Sequence, residues 1–379
     1  MKRVLFLINS LYGGGAEKVL QTILNNLDLS RYEVTLCSVV RDQLNEQYPK
    51  GIHYSYVYNS TRGRKTSRIG NVLIKIENKL KLFLYQHASP ALFYSLFVRG
   101  QYDTVIAFIE GYATRIVSGA KDSCHKIAWV HIDMSRNHWS SVAYKSYEEE
   151  KQSYQKYDSI VCVSENVKES MLKVYGELNC LMVLYNPIDD QLIREQSTAA
   201  DPVFRHRRRI KLISIGRLVE QKGYDRLLPI AKHLLEKGYQ FDLIIIGEGP
   251  ELRNLQSYID SHNMSDYVHL LGYLENPYPD LLESDLFICS SRSEGYSTVL
   301  TEAMILGVPV ITTRCAGVNE LLDGGECGMI VDNDSDALER GLEGLFLKQD
   351  KLLLLKKKAA RRGESIKLSE LISKLQSIL

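Results

Sequence analysis

Short apolar runs rich in valine, isoleucine and leucine recur at residues 4–8, 33–40, 52–58, 104–109, 126–130, 159–163 and 181–184, and again at 210–215, 241–246, 267–271, 285–289, 308–312 and 329–331. Segments with apolar residues at helical spacing separate them, as Val19, Leu20, Ile23, Leu24 and Leu27 do after the first run. Strands alternating with helices predict parallel sheets with helices on both faces, the doubly wound α/β class. With 379 residues the chain is long enough for two such domains, each with its own core. Residues 196–202 and the run Arg205-His206-Arg207-Arg208-Arg209 have the composition of a linker between the two series. The expected organisation is a Rossmann-like domain over 1–187, a second over 188–364, and a helical run over 365–379.

Charge and cysteine usage narrow the function. The 47 basic and 46 acidic residues leave a net charge of +1, so no overall field recruits nucleic acid. Seven cysteines are scattered without a C-x-x-C pair, which fits free thiols in a reducing compartment and argues against zinc. The apolar run after Met1-Lys2-Arg3 is too short for a signal peptide or a membrane span, so the expected location is cytoplasmic. Over 62–81 the cations Arg62, Arg64, Lys65, Arg68, Lys75, Lys79 and Lys81 interleave with Ile69, Val72, Leu73, Ile76 and Leu80, and the apolar pattern runs on through Leu82, Phe83 and Leu84. This pattern fits an amphipathic helix docked on an anionic membrane surface, and equally a domain helix with a solvated lysine face.

Candidate chemistry collects where strands give way to loops. After the run 286–289 comes a polar loop with Glu294, a helix opened by Ser297 or Thr298, and Glu302 in its first turns. Loops at strand carboxyl ends and helix N-termini behind them are where anionic ligands settle in open α/β sheets. A helical rise over eight positions places the two glutamates about 12 Å apart, too far to act on one bond and suited to the two ends of an extended ligand. Arg217 and Lys222 both follow the run 210–215 and can converge on one anion; the simpler reading is an ion pair with Glu220 or Asp225. Gly13-Gly14-Gly15 after the first strand is not the G-x-G-x-x-G fingerprint, and Glu17 behind it disfavours a phosphate on that helix. Asp332-Asn333-Asp334 reads as a turn and helix cap rather than a metal site.

Glu294-Gly295, with seven residues between Glu294 and Glu302, followed by Ala303 and Gly307-x-Pro309-Val310-Ile311, resembles the signature of the retaining GT-B glycosyltransferases of family 4, of the bacterial surface-polysaccharide type. Gly216-Arg217, four residues and Lys222-Gly223 resembles that family's diphosphate clamp; Gly14-Gly15-Ala16-Glu17 resembles its N-terminal loop, and Tyr185-Asn186-Pro187-Ile188-Asp189 its domain junction. The resemblance implies two Rossmann-like domains facing each other across a cleft, with the last helix returning to the first domain. It implies transfer of a hexosyl or N-acetylhexosaminyl group, with retention, from a nucleotide-diphosphate sugar, a uridine one by expectation. The acceptor would be a hydroxyl of a polyprenyl-linked saccharide or glycolipid at the inner face of the membrane. By the same resemblance Arg217 and Lys222 hold the diphosphate, Glu294 and His131 contact the sugar with Asp133 orienting the histidine, and Glu302 binds the ribose. Gly216 belongs to the clamp loop, Gly247, Tyr273 and Leu274 lie in loops that wall the base, backbone at Gly295, Ser297 and Thr298 meets the phosphate, and Gly14 and Gly15 border the cleft. No metal and no cofactor beyond the donor is expected. A nucleotide-sugar epimerase of the same architecture and a catalytically silent nucleotide-sugar-binding protein are the competing readings; a nicotinamide dehydrogenase lacks its fingerprint.

Overall fold

A computed structural model describes residues 1–11, 14–44, 47–60, 67–178, 180–204 and 209–379. Gly13, the cations Arg62, Arg64 and Lys65, and the arginine run at 205–208 lie outside the described residues. The chain forms two compact units, Met1–Pro187 with Ser369–Leu379, and Ile188–Leu368.

The first unit contains β1 (Lys2–Ile8), β2 (Tyr32–Val40), β3 (His53–Tyr58), β4 (Thr104–Ala107), β5 (His125–Val130), β6 (Ser159–Cys162) and β7 (Leu181–Val183). They pair in parallel in the order β3-β2-β1-β4-β5-β6-β7. Val4, Leu5, Phe6, Leu7 and Ile8 are all fully buried, which a central strand covered on both faces requires. The strand order reverses between β1 and β4. The helix Leu368–Ile378 belongs to this unit, and the carbonyl of Leu379 accepts a 2.7 Å hydrogen bond from Thr104 Oγ1.

In the second unit β8 (Ile210–Ile215), β9 (Phe241–Ile246), β10 (Val268–Gly272), β11 (Leu286–Cys289), β12 (Val310–Thr313) and β13 (Met329–Val331) form a parallel sheet in the order β10-β9-β8-β11-β12-β13. Here the reversal falls between β8 and β11. In a doubly wound sheet the two loops leaving such a switch point diverge and open a crevice at the strands' carboxyl ends. Asp334 accepts a 2.7 Å bond from the Ala337 amide and caps the helix Ser335–Leu347, as turn chemistry predicts for it.

The basic segment forms the helix Arg68–His87, opened by Ser67, whose hydroxyl accepts from the Gly70 amide. The face turned to the unit is mixed: Tyr85 is buried and Ile74 and Leu84 half-buried, while Asn78 exchanges hydrogen bonds with the Asn59 backbone, at 2.7 and 3.0 Å, and Lys81 Nζ donates to the Val57 carbonyl at 2.7 Å. The outward face carries Ile69, Leu73, Ile76, Leu80 and Phe83, between 57% and 74% exposed. Lys75 and Lys79 are exposed beside these apolar residues, so the outward face is both apolar and basic. No described helix is long and apolar enough to cross a membrane.

Candidate active site

In the second unit the two loops of the switch point are stitched together. The segment after β8 runs through Gly216, Arg217 and a short 3-10 turn, Glu220–Lys222, to the helix Tyr224–Glu236. The segment after β11 runs through Ser290 to Glu294 and into the helix Thr298–Ile305. Arg292 donates its amide to the Gln221 carbonyl at 2.7 Å, and Gln221 Nε2 donates to the Ser293 carbonyl at 2.7 Å. Ser290 Oγ donates to the Lys222 carbonyl at 2.9 Å. Gly223 sits at φ +69°, and a Cβ there would clash with the Ser290 carbonyl oxygen at 2.2 Å, so glycine is required for the backbones to approach.

This stitching brings Lys222 and Glu294 together. Lys222 Nζ lies 2.7 Å from Glu294 Oε1, and the Ser291 hydroxyl donates to the same oxygen at 2.6 Å. Burial works against the Lys222 charge, but the adjacent carboxylate outweighs it and holds the ammonium protonated well above the ordinary lysine value. Neither alternative partner considered for Lys222 is used: Asp225 makes a bidentate pair with Arg292 at 2.7 Å, and the Glu220 carbonyl accepts from the same arginine. Arg217 is exposed, and its side chain has no ion pair or hydrogen bond among the described residues. The pair and the free guanidinium thus offer one occupied and one open cation at the same edge.

Ser297 is the cap of the Thr298–Ile305 helix, its hydroxyl accepting from the Leu300 amide, and the first-turn amides behind it have no partner within the helix. Glu302 lies in that helix, 1% exposed. Only the four steps from Thr298 to Glu302 are helical, so the 12 Å helical spacing expected between the two glutamates does not apply; Glu294 stands in the loop and is fixed by Lys222 and Ser291 instead. Beside them the loops after β8, β9 and β10 are zipped by backbone: Gly216 donates to Ile246, Leu218 to Glu248, and Gly247 to Gly272, at 2.8–2.9 Å. A Cβ on Gly247 would lie 2.0 Å from the Gly216 carbonyl oxygen. Tyr273 follows this zipper, 66% exposed, with Leu274 half-buried beside it.

In the first unit, Gly14 caps the helix Gly15–Asn26, and a Cβ there would meet the Glu17 carboxylate at 2.2 Å. The helix's own acidic side chain folds back over its N-terminus. His131 follows β5, its Nε2–H donating to the Phe108 carbonyl at 3.0 Å and its amide to Glu110 Oε2 at 3.0 Å. Asp133 does not orient it. That carboxylate accepts instead from the Ser135 amide and hydroxyl, at 3.0 and 2.6 Å. Burial pushes His131 down to about 4 and Glu110 up to about 7. His131 is therefore a neutral ring at ordinary pH, with Nδ1 as an acceptor. Glu110, 1% exposed, directly follows the apolar run 104–109 and carries no motif of its own.

Residues 13–192 match the model of Glycosyltransferase Family 4, and residues 198–363 that of Glycosyl transferases group 1. The chain is 30% identical over 172 residues to the phosphatidylinositol N-acetylglucosaminyltransferase GPI3 subunit of Saccharomyces cerevisiae strain YJM789, covering 44% of this chain and 37% of the relative. It is 30% identical over 165 residues to the putative colanic acid biosynthesis glycosyltransferase WcaL of Escherichia coli K12, covering 41% of each. The chain thus spans about two fifths of the length of these curated relatives. The crystal structure of Anabaena Alr3699/HepE in complex with UDP-glucose superposes with a TM-score of 0.74 over 100% of both chains, at 18% identity, a likeness of fold.

Proposed function

This chain belongs to the GT-B glycosyltransferases of the group 1, family 4 type, and we propose that it transfers a sugar from a uridine-diphosphate donor to an acceptor hydroxyl with retention. The observation that carries this reading is the meeting of Lys222 and Glu294, 2.7 Å apart, at the switch point of the second sheet. A diphosphate accumulates negative charge as the sugar bond breaks. Lys222, the open Arg217 and the first-turn amides at Thr298 stabilise that charge more in the transition state than in the ground state. Glu294, an acceptor-only carboxylate, takes hydrogen bonds from the transferred sugar's hydroxyls, and Glu302 those of the ribose. The backbone zipper of Gly216, Gly247 and Gly272 supplies a rigid wall for the base, with Tyr273 at its rim. The uridine assignment draws on the UDP-glucose of the Anabaena neighbour.

The resemblance assigns His131 to the sugar, and its neutral ring suits accepting a hydrogen bond from a sugar hydroxyl at Nδ1 rather than charge stabilisation or proton abstraction. The acceptor hydroxyl gives its proton to the departing phosphate, so no second carboxylate acts as nucleophile. Lys222 and the open Arg217 face the diphosphate together, and the reaction proceeds without a metal. The pathway is surface-polysaccharide or glycolipid assembly, with a polyprenyl-linked acceptor at an anionic membrane. The outward apolar face of the Arg68–His87 helix, bordered by Arg68, Lys75 and Lys79, supports that partner. Incubation with uridine, guanosine and adenosine diphosphate sugars, followed by mass spectrometry of the nucleotide and sugar products, tests the reading. Release of UDP and a glycosylated acceptor is expected; epimerised donor without transfer would replace the proposal.

A further inference from the structure

The loop that carries Glu294 is held from behind by a side chain that the donor reading does not use. Arg226, one turn into the helix Tyr224–Glu236, donates Nε to the Ser290 carbonyl at 2.9 Å. Its Nη2 donates to the carbonyls of Ser290 and Ser291 at 2.6 and 2.9 Å, and to Asn333 Oδ1 at 2.8 Å. Asn333 completes the brace, donating Nδ2 to the carbonyls of Arg292 and Arg314 at 2.9 and 3.1 Å. Thr313 Oγ1 adds a 2.6 Å bond to the Ser291 carbonyl. The carbonyls at 290, 291 and 292 are thereby all engaged from the rear, while Ser291 Oγ points forward to Glu294. One planar guanidinium serves three acceptors in different directions, which a lysine ammonium on a flexible stem does not reproduce.

We propose that Arg226, with Asn333 as its partner, is a positioning residue for sugar selection: it fixes the 290–292 backbone and so the placement of the Glu294 carboxylate. The inference rests on the reading of Glu294 as the sugar contact. Its consequence is a split between nucleotide and sugar recognition. Lys222 and Arg217 remain available to a diphosphate when the brace is lost, but the hydroxyl pattern of the sugar is read by a carboxylate with no fixed direction. A brace serving stability alone would lower the melting temperature without touching that selectivity.

The test is made on the full chain with UDP, UDP-glucose, UDP-galactose and UDP-N-acetylglucosamine, by calorimetric titration and steady-state kinetics, alongside thermal melts. For the wild type, preference for one of the three sugars is expected. Arg226→Lys, Arg226→Met and Asn333→Ala are expected to keep UDP affinity within about twofold while kcat/KM discrimination between the preferred sugar and its closest epimer falls about tenfold or more. The double variant should be little worse than either single one, because both act on one loop. Folded variants with unchanged discrimination would overturn the inference alone. Wild-type protein that binds none of the four probes would overturn the donor reading and the inference with it.

Discussion

Lys222 Nζ and Glu294 Oε1 are 2.7 Å apart, with side chains 19% and 10% exposed. The carboxylate holds the ammonium in place and also repels any phosphate that approaches it. Glu294→Gln removes that repulsion while keeping a hydrogen-bond acceptor of the same shape. UDP without a sugar is expected to bind equally or several-fold more tightly, by the Coulomb sign alone. Turnover of the donor sugar should fall by about two decades as the acceptor for its hydroxyls weakens. Calorimetry with UDP and kinetics with the donor separate the two effects; a large loss of UDP affinity would speak against the assignment.

The outward face of the Arg68–His87 helix predicts vesicle binding that combines insertion and charge. Replacing both Ile76 and Leu80 by glutamate should lower partition onto anionic vesicles by roughly two decades or more, since each buried side chain of this size contributes about 1.5–3 kcal/mol. The melting temperature should barely move, because both positions are exposed. Flotation with phosphatidylglycerol vesicles against neutral ones measures the effect. A shift to a dimer in solution, with no flotation, would assign the face to a second copy instead.

Glu110 and His131 give the first unit a pH dependence with opposing signs. Glu110, raised to about 7 from 4.5, retains its proton in the folded state longer than in the unfolded chain, so its contribution is full below about 4.5 and is lost as pH rises through 7. His131, lowered to about 4 from 6.5, contributes above about 6.5 and loses it as pH falls through 4. Glu110→Gln, which can still accept from the His131 amide, should therefore stabilise the protein at pH 8 by on the order of 2–3 kcal/mol relative to its effect at pH 4.5. Denaturant unfolding at the two pH values checks this; equal effects at both would place Glu110 in water.

Asp334 separates the cap from the metal reading of Asp332-Asn333-Asp334. Asp334→Ala should cost about 1 kcal/mol of stability, as the loss of a helix cap does. Sugar transfer in excess chelator should match transfer in magnesium or manganese. Activity abolished by chelator and restored by either ion would reverse the assignment.

The sheets and the switch-point loops were legible because strand runs, glycines and charged residues fall at fixed positions along the chain. Gly216, Arg217, Lys222 and Glu294 all leave strand carboxyl ends, a placement that periodicity alone predicts. The pairing of Lys222 with Glu294 was not legible, since it depends on how loops 72 residues apart are stitched through Gln221, Ser290 and Arg292. Arg226 and Asn333 are 107 residues apart; Asn333 was read only as part of the turn at 332–334, and nothing local linked it to Arg226. The Arg68–His87 helix was recognised as amphipathic, but its inward face is held by Tyr85, bonded to the Ala143 carbonyl, together with Asn78 and Lys81 on the backbone of Asn59 and Val57. Hydropathy does not encode those contacts.

The most direct measurement of the central claim is donor binding and turnover by wild type, Arg217→Ala and Lys222→Ala across uridine-diphosphate sugars in chelator. Saturable binding by the wild type, with turnover lowered about two to three decades in each variant, is the predicted result. Near-normal turnover in both variants, or no binding of any nucleotide-diphosphate sugar by folded wild-type protein, would contradict it.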